Sequence, residues 1–199
     1  MDADALNAEL AGMDLYLLDQ VLKGRFNAGS RIVDVGCGSG RNLAWFARNG
    51  FEVFGIDSHE GTVSKLIAAN LAPAGNIICG SAAALPWPDS HFQAVICNAL
   101  LHLLATRDEF EVALRETWRV LAPGGVWFAR LATTLSMEQH AKPLGDGRYR
   151  MPGTQWDILP TSLEDMLRLT DELGATLLEP IKTVNVQNTR AMATWVMQK

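Results

Sequence analysis

Three glycines spaced two apart, Gly36, Gly38 and Gly40, follow the β-branched run that reaches Asp34 in the stretch RIVDVGCGSGRN. A strand that opens into a loop without side chains lets a ligand pack on the main chain. Only a residue lacking Cβ turns sharply at positive φ and leaves that space free. The spacing predicts a nucleotide-like ligand, but not a pyrophosphate. The dinucleotide fingerprint G-x-G-x-x-G needs a glycine three positions past Gly38, where Arg41 stands, and here the third glycine comes one residue early. A second acid, Asp57, closes the strand-like stretch EVFGI, about twenty residues past the first glycine. In a βαβ unit that is where a carboxylate accepts from the 2′ and 3′ hydroxyls of a ribose. His102, in ALLH, follows the apolar run Ala94–Asn98. An imidazole there could take a proton from a substrate oxygen, nitrogen or thiol, although a packed, hydrogen-bonded histidine is the weightier reading.

The elements that must position these groups follow from periodicity. Leu6, Leu10, Met13, Leu17 and Val21 recur at helical spacing and predict one amphipathic helix ahead of the sheet. Strands are predicted at RIVDV, Glu52–Ile56, Asn76–Cys79 and Ala94–Asn98, the last two as continuous apolar runs of the kind buried on both faces. Asp108 with Glu111, and apolar Phe110, Leu114, Trp118 and Leu121, predict a helix stopped by Pro123-Gly124-Gly125, and a fifth strand starts at Val126. Thr161 with Glu164 opens another helix through Leu173, and strand-like runs follow near Thr176–Val186 and Ala191–Met197. The alternation implies a doubly wound α/β sheet. The stretch Ala132–Pro160 reads as a long loop, which inside a small domain is functional or disordered. It carries His140, Arg148, Tyr149, Arg150, Met151 and Trp156. These predict either an aromatic pocket with cationic groups or, with equal weight, solvated arginines and a Trp156 packed on the sheet.

Composition narrows the classes. The chain has 199 residues, 48% of them apolar, and a net charge of −5. That is enough for one substantial core, so residues 1–199 are expected to form one domain. The acidic balance argues against a nucleic-acid surface, which needs clustered Lys and Arg. No apolar run is long enough for a membrane span, and the acidic start MDADALNAEL lacks a basic leader region, so a cytoplasmic protein is expected. Cys37, Cys79 and Cys97 lack C-x-x-C spacing and read as reduced thiols. His59, His91 and His140 have no ligand-like neighbours in sequence, so no metal is expected.

Taken as an ordered set, VDVGCGSGRN, then GID ending on Asp57, then GSAAALPWPDSHFQAVICNALLH and LRETWRVLAPGG resemble the successive motifs of class I S-adenosylmethionine-dependent methyltransferases. The resemblance covers roughly Gly24 to Leu131. It implies a Rossmann-like seven-stranded sheet, mostly parallel with an antiparallel last strand and helices on both faces. It also implies S-adenosyl-L-methionine as cofactor, held by Asp34, Gly36, Cys37, Gly38, Gly40, Asn42, Asp57, Ser58, Ser81, Ala82 and Asn98. Asp34 would face the methionine amino group and Asp57 the ribose. Ser81 stands where the family usually has an acid beside the adenine, which makes that contact a departure from the pattern. A narrower similarity, through Gly40–Asn42 and MDLYLLDQVLKGRF, points to small bacterial methyltransferases related to tellurite-resistance proteins.

Methyl transfer from a sulfonium needs alignment and exclusion of water more than a base, so no catalytic residue is required and His102 is the sole weak candidate. The acceptor would be a small molecule, neither nucleic acid nor membrane, enclosed by the N-terminal helix (residues 1–24) and residues 132–160. Tyr16, His102, Arg130 and Trp156 are the candidate substrate contacts. Two other classes stay open: a nicotinamide-dependent oxidoreductase, which would want a glycine in place of Arg41, and a non-catalytic module that binds the same cofactor. Oligomeric state is left undetermined by the sequence.

Overall fold

A computed structural model describes residues 2–10, 12–73, 75–135, 141–153 and 156–199. The strands of the main sheet are β1 (Arg31–Val35), β2 (Glu52–Asp57), β3 (Ile77–Cys79), β4 (Phe92–Asn98) and β5 (Leu121–Ala132), with β9 (Thr176–Leu177), β10 (Lys182–Val186) and β11 (Arg190–Gln198). Their order is β10-β11-β5-β4-β1-β2-β3, and β9 pairs with β11 as well. Strands β1 to β5 run parallel, while β11 is antiparallel to β5, β9 and β10.

The sheet therefore has the expected antiparallel last strand but eight strands instead of seven. The extra one arises where a single run was expected near Thr176–Val186. Pro180 has no N–H for a ladder and is tolerated at edges and bulges. The run breaks at residues 178–181, and its halves pair with β11 at Leu177↔Met197 and Lys182↔Thr194.

Side chains alternate across the strands and feed two cores, one on each face. On one face Val33, Val95, Trp127 and Trp195 pack against Phe110 and Leu114 of α5 (Arg107–Val120) and Met166 and Leu169 of α6 (Leu163–Glu172). The buried indoles of Trp127 and Trp195 meet edge to face at 5.1 Å, and each donates its N–H to a threonine, Thr117 or Thr170. On the other face Ile32, Ile96 and Phe128 pack against α2 (Leu15–Leu22), α3 (Leu43–Arg48) and α4 (Glu60–Ala68). Helices thus cover both faces.

Local differences from the sequence reading have local causes. The N-terminal region forms two helices: α1 (Ala3–Leu10) ends before Gly12, which has φ +73, and Asp14 caps α2 by accepting from the Tyr16 N–H. No residue of α1 is buried, so the apolar stripe reaches the core only from Met13 onward. Helix α5 is capped by Thr106 instead of Asp108, and α6 by Ser162 instead of Thr161. Pro123-Gly124-Gly125 does not stop α5, which ends at Val120; it forms an irregularity within β5, between the pairs Phe92↔Leu121 and Ala94↔Val126.

The stretch read as a loop contains a small antiparallel sheet, β6 (Lys142–Gly145), β7 (Arg148–Arg150) and β8 (Asp157–Ile158). Asp146 and Gly147, both at positive φ, make the two-residue turn between β6 and β7, as Asp-Gly does in type I′ hairpins. Its apolar side packs on Ala132 and Met192. Arg150 is ion-paired with Asp157 across the exposed side, in line with the solvated reading. His140 lies outside the described residues. No helix among the described residues is long and apolar enough to cross a membrane.

Candidate functional site

The loop after β1 is held from β2. The N–H groups of Gly36 and Cys37 both donate to the Ile56 carbonyl, at 2.8 and 3.1 Å, and the Gly38 N–H donates to Asp57 Oδ2 at 2.9 Å. Asp57 Oδ1 accepts from the His59 N–H at 2.9 Å, which ties the same carboxylate to the start of α4. The three glycines have φ of +74, +50 and +72 but differ in what surrounds them. A Cβ on Gly36 would lie 2.9 Å from Leu100, and one on Gly40 2.7 Å from Leu71. At Gly38 nothing lies within 4 Å. A Cβ is thus excluded by packing at Gly36 and Gly40, and of the three glycines only Gly38 has room for one.

Between the ends of β1, β2 and β3 a cavity of about 120 Å³ is lined by Gly36, Ile56, Asp57, Ser58, Ser81, Ala82, Leu100 and Leu104. Ser81 Oγ already accepts from the Ala83 N–H at 3.1 Å.

A second group lies on the sheet face that carries α2 and α3. Asp34 pairs with Ile96, and Asn98, two residues on, pairs with Arg130. Period-two alternation puts Asp34, Asn98 and Arg130 on the same face as Ile96 and Phe128. They form a polar row at the carboxyl ends of β1, β4 and β5, where open α/β sheets bind ligands. Asp34 is 1% exposed, and neither of its oxygens has a hydrogen-bond partner. Burial pushes its carboxyl well above the ordinary range, against weaker opposing pulls from Asn42 and Arg41. Asn98 Oδ1 and Arg130 Nε are likewise buried without a partner. After β4 the chain turns through Ala99 at φ +59, whose N–H donates to the Arg130 carbonyl, into a short 3₁₀ turn, Leu101–Leu103, bearing His102. His102 is buried, its Nδ1 has no partner, and burial, helped by the Arg130 charge, lowers its pKa to about 4.

The N-terminal region closes over this row. Arg130 Nη1 donates to Asp14 Oδ2 at 2.8 Å, and the guanidinium lies 4.5 Å from the Tyr16 ring centroid. Arg41 is 3.9 Å from the same Asp14 oxygen. Asn42 Oδ1 accepts from the Asp14 N–H at 3.1 Å.

The sequence-predicted residues are thus distributed as follows. Asp57, Ser58, Ser81 and Ala82 line the cavity with Gly36, and Asp34, Asn98, Arg130, His102 and Tyr16 gather on or beside the polar row. Cys37 turns its buried thiol toward Gly55, where an added Cβ would sit 3.0 Å from the sulfur. Burial raises that thiol far above its usual pKa. Gly40 packs on α4 and Asn42 holds Asp14. Trp156 is 63% exposed, which leaves Tyr16 as the aromatic wall beside Arg130. Sequence reasoning passed over Asp14; its signal was an aspartate directly before the apolar run Leu15–Leu18, an N-cap pattern. Among the described residues no group of three His, Cys, Asp or Glu could hold a metal.

These donor sets suit a nucleoside-bearing cation better than a phosphate. The row offers unpartnered acceptors, Asp34 and Asn98 Oδ1, and the glycine loop leaves room at Gly38. The fold is of the Rossmann-like class. Residues 33–129 match the family described as a methyltransferase domain. The chain is 32% identical over 99 residues to a fatty-acid O-methyltransferase of Mycolicibacterium smegmatis, an alignment covering 49% of this chain and 35% of that protein. Among solved structures it resembles an S-adenosylmethionine-dependent methyltransferase from Mesorhizobium loti, with TM-score 0.74, 18% identity, and coverage of 94% of this chain and 100% of that one. It also resembles a 1,6-didemethyltoxoflavin-N1-methyltransferase of Burkholderia thailandensis, solved with S-adenosylhomocysteine, with TM-score 0.70, 17% identity, and coverage of 98% and 81%. Across residues 33–129, just under half of its length, the chain is thus similar to class I S-adenosylmethionine-dependent methyltransferases, proteins whose cofactor is S-adenosyl-L-methionine. The alignments span 35% to 45% of the lengths of the curated relatives it matches.

Proposed function

We propose that this chain transfers a methyl group from S-adenosylmethionine to a small-molecule acceptor by in-line displacement. The observation that carries the reading is Asp34, a fully buried carboxylate with no partner on either oxygen, beside a glycine loop that is open at Gly38. A buried carboxylate left this way is costly, and the ammonium group of the cofactor's methionine end would satisfy it. Asn98 Oδ1 supplies a further acceptor. Asp57 has lone pairs left for the ribose diol, and Ser58, Ser81 and Ala82 lie on the adenine side. The cavity is smaller than the roughly 300–1,000 Å³ usual for small-molecule sites, so Leu100 and Leu104 must yield when the base enters.

When bound, the cofactor supplies a methyl group activated on a sulfonium sulfur. The chain has to align the nucleophile and exclude water. Tyr16, Arg130 and His102 border the place where an acceptor would lie. Asp14 and Tyr16, at the start of α2, bound it on one side, and the segment at Ile158–Leu159 bounds it on another. That segment is tied on where the Leu159 N–H donates to the His102 carbonyl at 2.8 Å.

Thermal unfolding with S-adenosylhomocysteine and, separately, with NAD tests the cofactor, since a ligand of the folded state raises its stability by mass action. The expected result is a rise with the former alone. A rise with NAD alone would return the chain to the oxidoreductase reading. Labelled methyl transfer into a metabolite extract tests catalysis; binding without any transfer would leave a non-catalytic module.

A further inference from the structure

We infer that the acceptor is a carboxylate, held by the Nε–H of Arg130 and Nδ1 of His102 and methylated on oxygen. The inference rests on the cofactor reading above and specifies the substrate of the same site.

Once Asp34 and Asn98 are assigned to an ammonium group, two unpartnered buried atoms remain beside the row: Arg130 Nε and His102 Nδ1. Neither is free to find a partner elsewhere. The guanidinium is fixed on one side by the 2.8 Å bond from Nη1 to Asp14 and on its face by Tyr16 at 4.5 Å. His102 sits in a buried 3₁₀ turn whose carbonyl is taken by the Leu159 N–H. Arg130 Nε–H can only donate. A neutral imidazole can present its proton on Nδ1, so each group can offer one donor to an anion, and the two are near enough for the Arg130 charge to act on His102.

Charge points the same way. Asp14 faces two arginines, Arg130 at 2.8 Å and Arg41 at 3.9 Å. In the loaded protein the Asp34 carboxylate is balanced by the cofactor ammonium, and burial holds His102 toward its neutral form. The cluster is left with an excess of positive charge, which a monoanion would balance. Guanidinium geometry suits a planar carboxylate, and a carboxylate, unlike a phosphate monoester, brings a single charge.

The chemistry agrees with methylation on oxygen. An imidazole with a pKa near 4 is a poor base for an alcohol or thiol, which favours an acceptor with no proton to lose, and the excess positive charge of the cluster selects an anionic oxygen over a neutral amine. A carboxylate oxygen forms the bond to the methyl carbon while the carbon–sulfur bond breaks and leaves its electron pair on sulfur. No proton has to leave, and the products are a methyl ester and a neutral thioether. The opposite charges disappear together, which a site with little water favours.

The test loads the protein with S-adenosylhomocysteine and adds benzoate or octanoate, against benzamide or octanamide, reading thermal stability. Carboxylates are expected to add to the shift and amides not. Arg130→Gln should weaken the carboxylate effect about tenfold or more while the S-adenosylhomocysteine shift persists, which also reports folding. Arg130→Lys, which keeps the charge for Asp14 but lacks the Nε–H, should weaken it as well. With labelled cofactor, the methyl group placed on the carboxylate should be released as methanol by mild base. Equal effects of amides, no effect of any carboxylate on the loaded protein, an undiminished carboxylate effect in both variants, or base-stable label would overturn the inference. Absence of any S-adenosylhomocysteine shift would instead overturn the cofactor reading beneath it.

Discussion

Asp57, at the end of β2, accepts at 2.9 Å from the N–H of Gly38, the middle glycine of the loop that leaves β1. The acid expected to grip the ribose therefore also sets the loop over which the cofactor would lie.

Replacing Asp57 by Ala removes both functions, a charge-assisted contact and a loop tether. The expected loss of S-adenosylhomocysteine affinity is on the order of 1.5–3 kcal/mol. Calorimetry on the folded variant checks this, and unchanged affinity would reject the ribose role.

The three loop glycines should separate by phenotype. Gly38→Ala meets no neighbour within 4 Å, so its cost to folding is the strain of φ +50, about 1–2 kcal/mol. Its methyl group occupies the space next to the ligand, so S-adenosylhomocysteine binding should fall much further than stability. Gly40→Ala places a carbon 2.7 Å from Leu71 and 2.8 Å from Leu66, and overpacking there should lower stability by about 1–3 kcal/mol in addition to strain. Urea titrations beside calorimetry measure both quantities. Equal stability losses would show that the open space at Gly38 has been misjudged.

Much of this arrangement is legible in the sequence, because the central strands are buried on both faces and advertise themselves as apolar runs. The glycine spacing marks the loop that leaves β1, and the position of Asp57 marks the end of β2 that holds that loop. What escapes is decided by single residues acting through tertiary contacts. Gly12 divides the N-terminal helix although the apolar spacing continues across it. Pro180 splits one edge strand into β9 and β10. Asp146-Gly147 hides a hairpin inside a stretch whose composition reads as loop. Asp14 matters because it meets Arg130, 116 residues away, and no local pattern carries such a distance. For the same reason Asn42, legible as part of the loop, is spent on the Asp14 backbone.

Cofactor affinity should depend on pH through Asp34. Burial raises its folded pKa above 3.8, so the cofactor-free protein holds the proton to higher pH than an exposed carboxyl would. The stability this group contributes is full below 3.8 and is lost as pH rises through the folded value. A cofactor ammonium requires the carboxylate, so binding releases a proton and affinity for S-adenosylhomocysteine should strengthen as pH rises through the same window. Calorimetry in two buffers of different ionisation enthalpy detects the proton. Asp34→Asn should weaken binding, flatten its pH dependence and stabilise the cofactor-free protein at neutral pH. Retention of the full pH dependence in that variant would assign the proton elsewhere.

The acid side of the stability profile should belong in part to His102. Its pKa falls from 6.5 to about 4, chiefly by burial and secondarily through the Arg130 charge. A histidine depressed in this way contributes stability that is present above pH 6.5 and is lost as pH falls through 4, because the unfolded chain takes up the proton first. The depression corresponds to a loss on the order of 3 kcal/mol across that window. His102→Gln keeps a polar side chain of similar reach but cannot titrate, so its stability should decline less than that of the unmodified chain between pH 6.5 and 4. Urea unfolding at several pH values gives the comparison, with His91→Gln as a reference for a histidine whose pKa is also lowered but which is half-buried beside Arg31. Arg130→Gln provides the complementary measurement. Removing the nearby positive charge should let His102 titrate closer to 6.5, a shift observable in its imidazole NMR resonances. Parallel stability curves for His102→Gln and the unmodified chain would show that this imidazole is far more accessible to water than its packing beneath Leu159 and Arg130 requires.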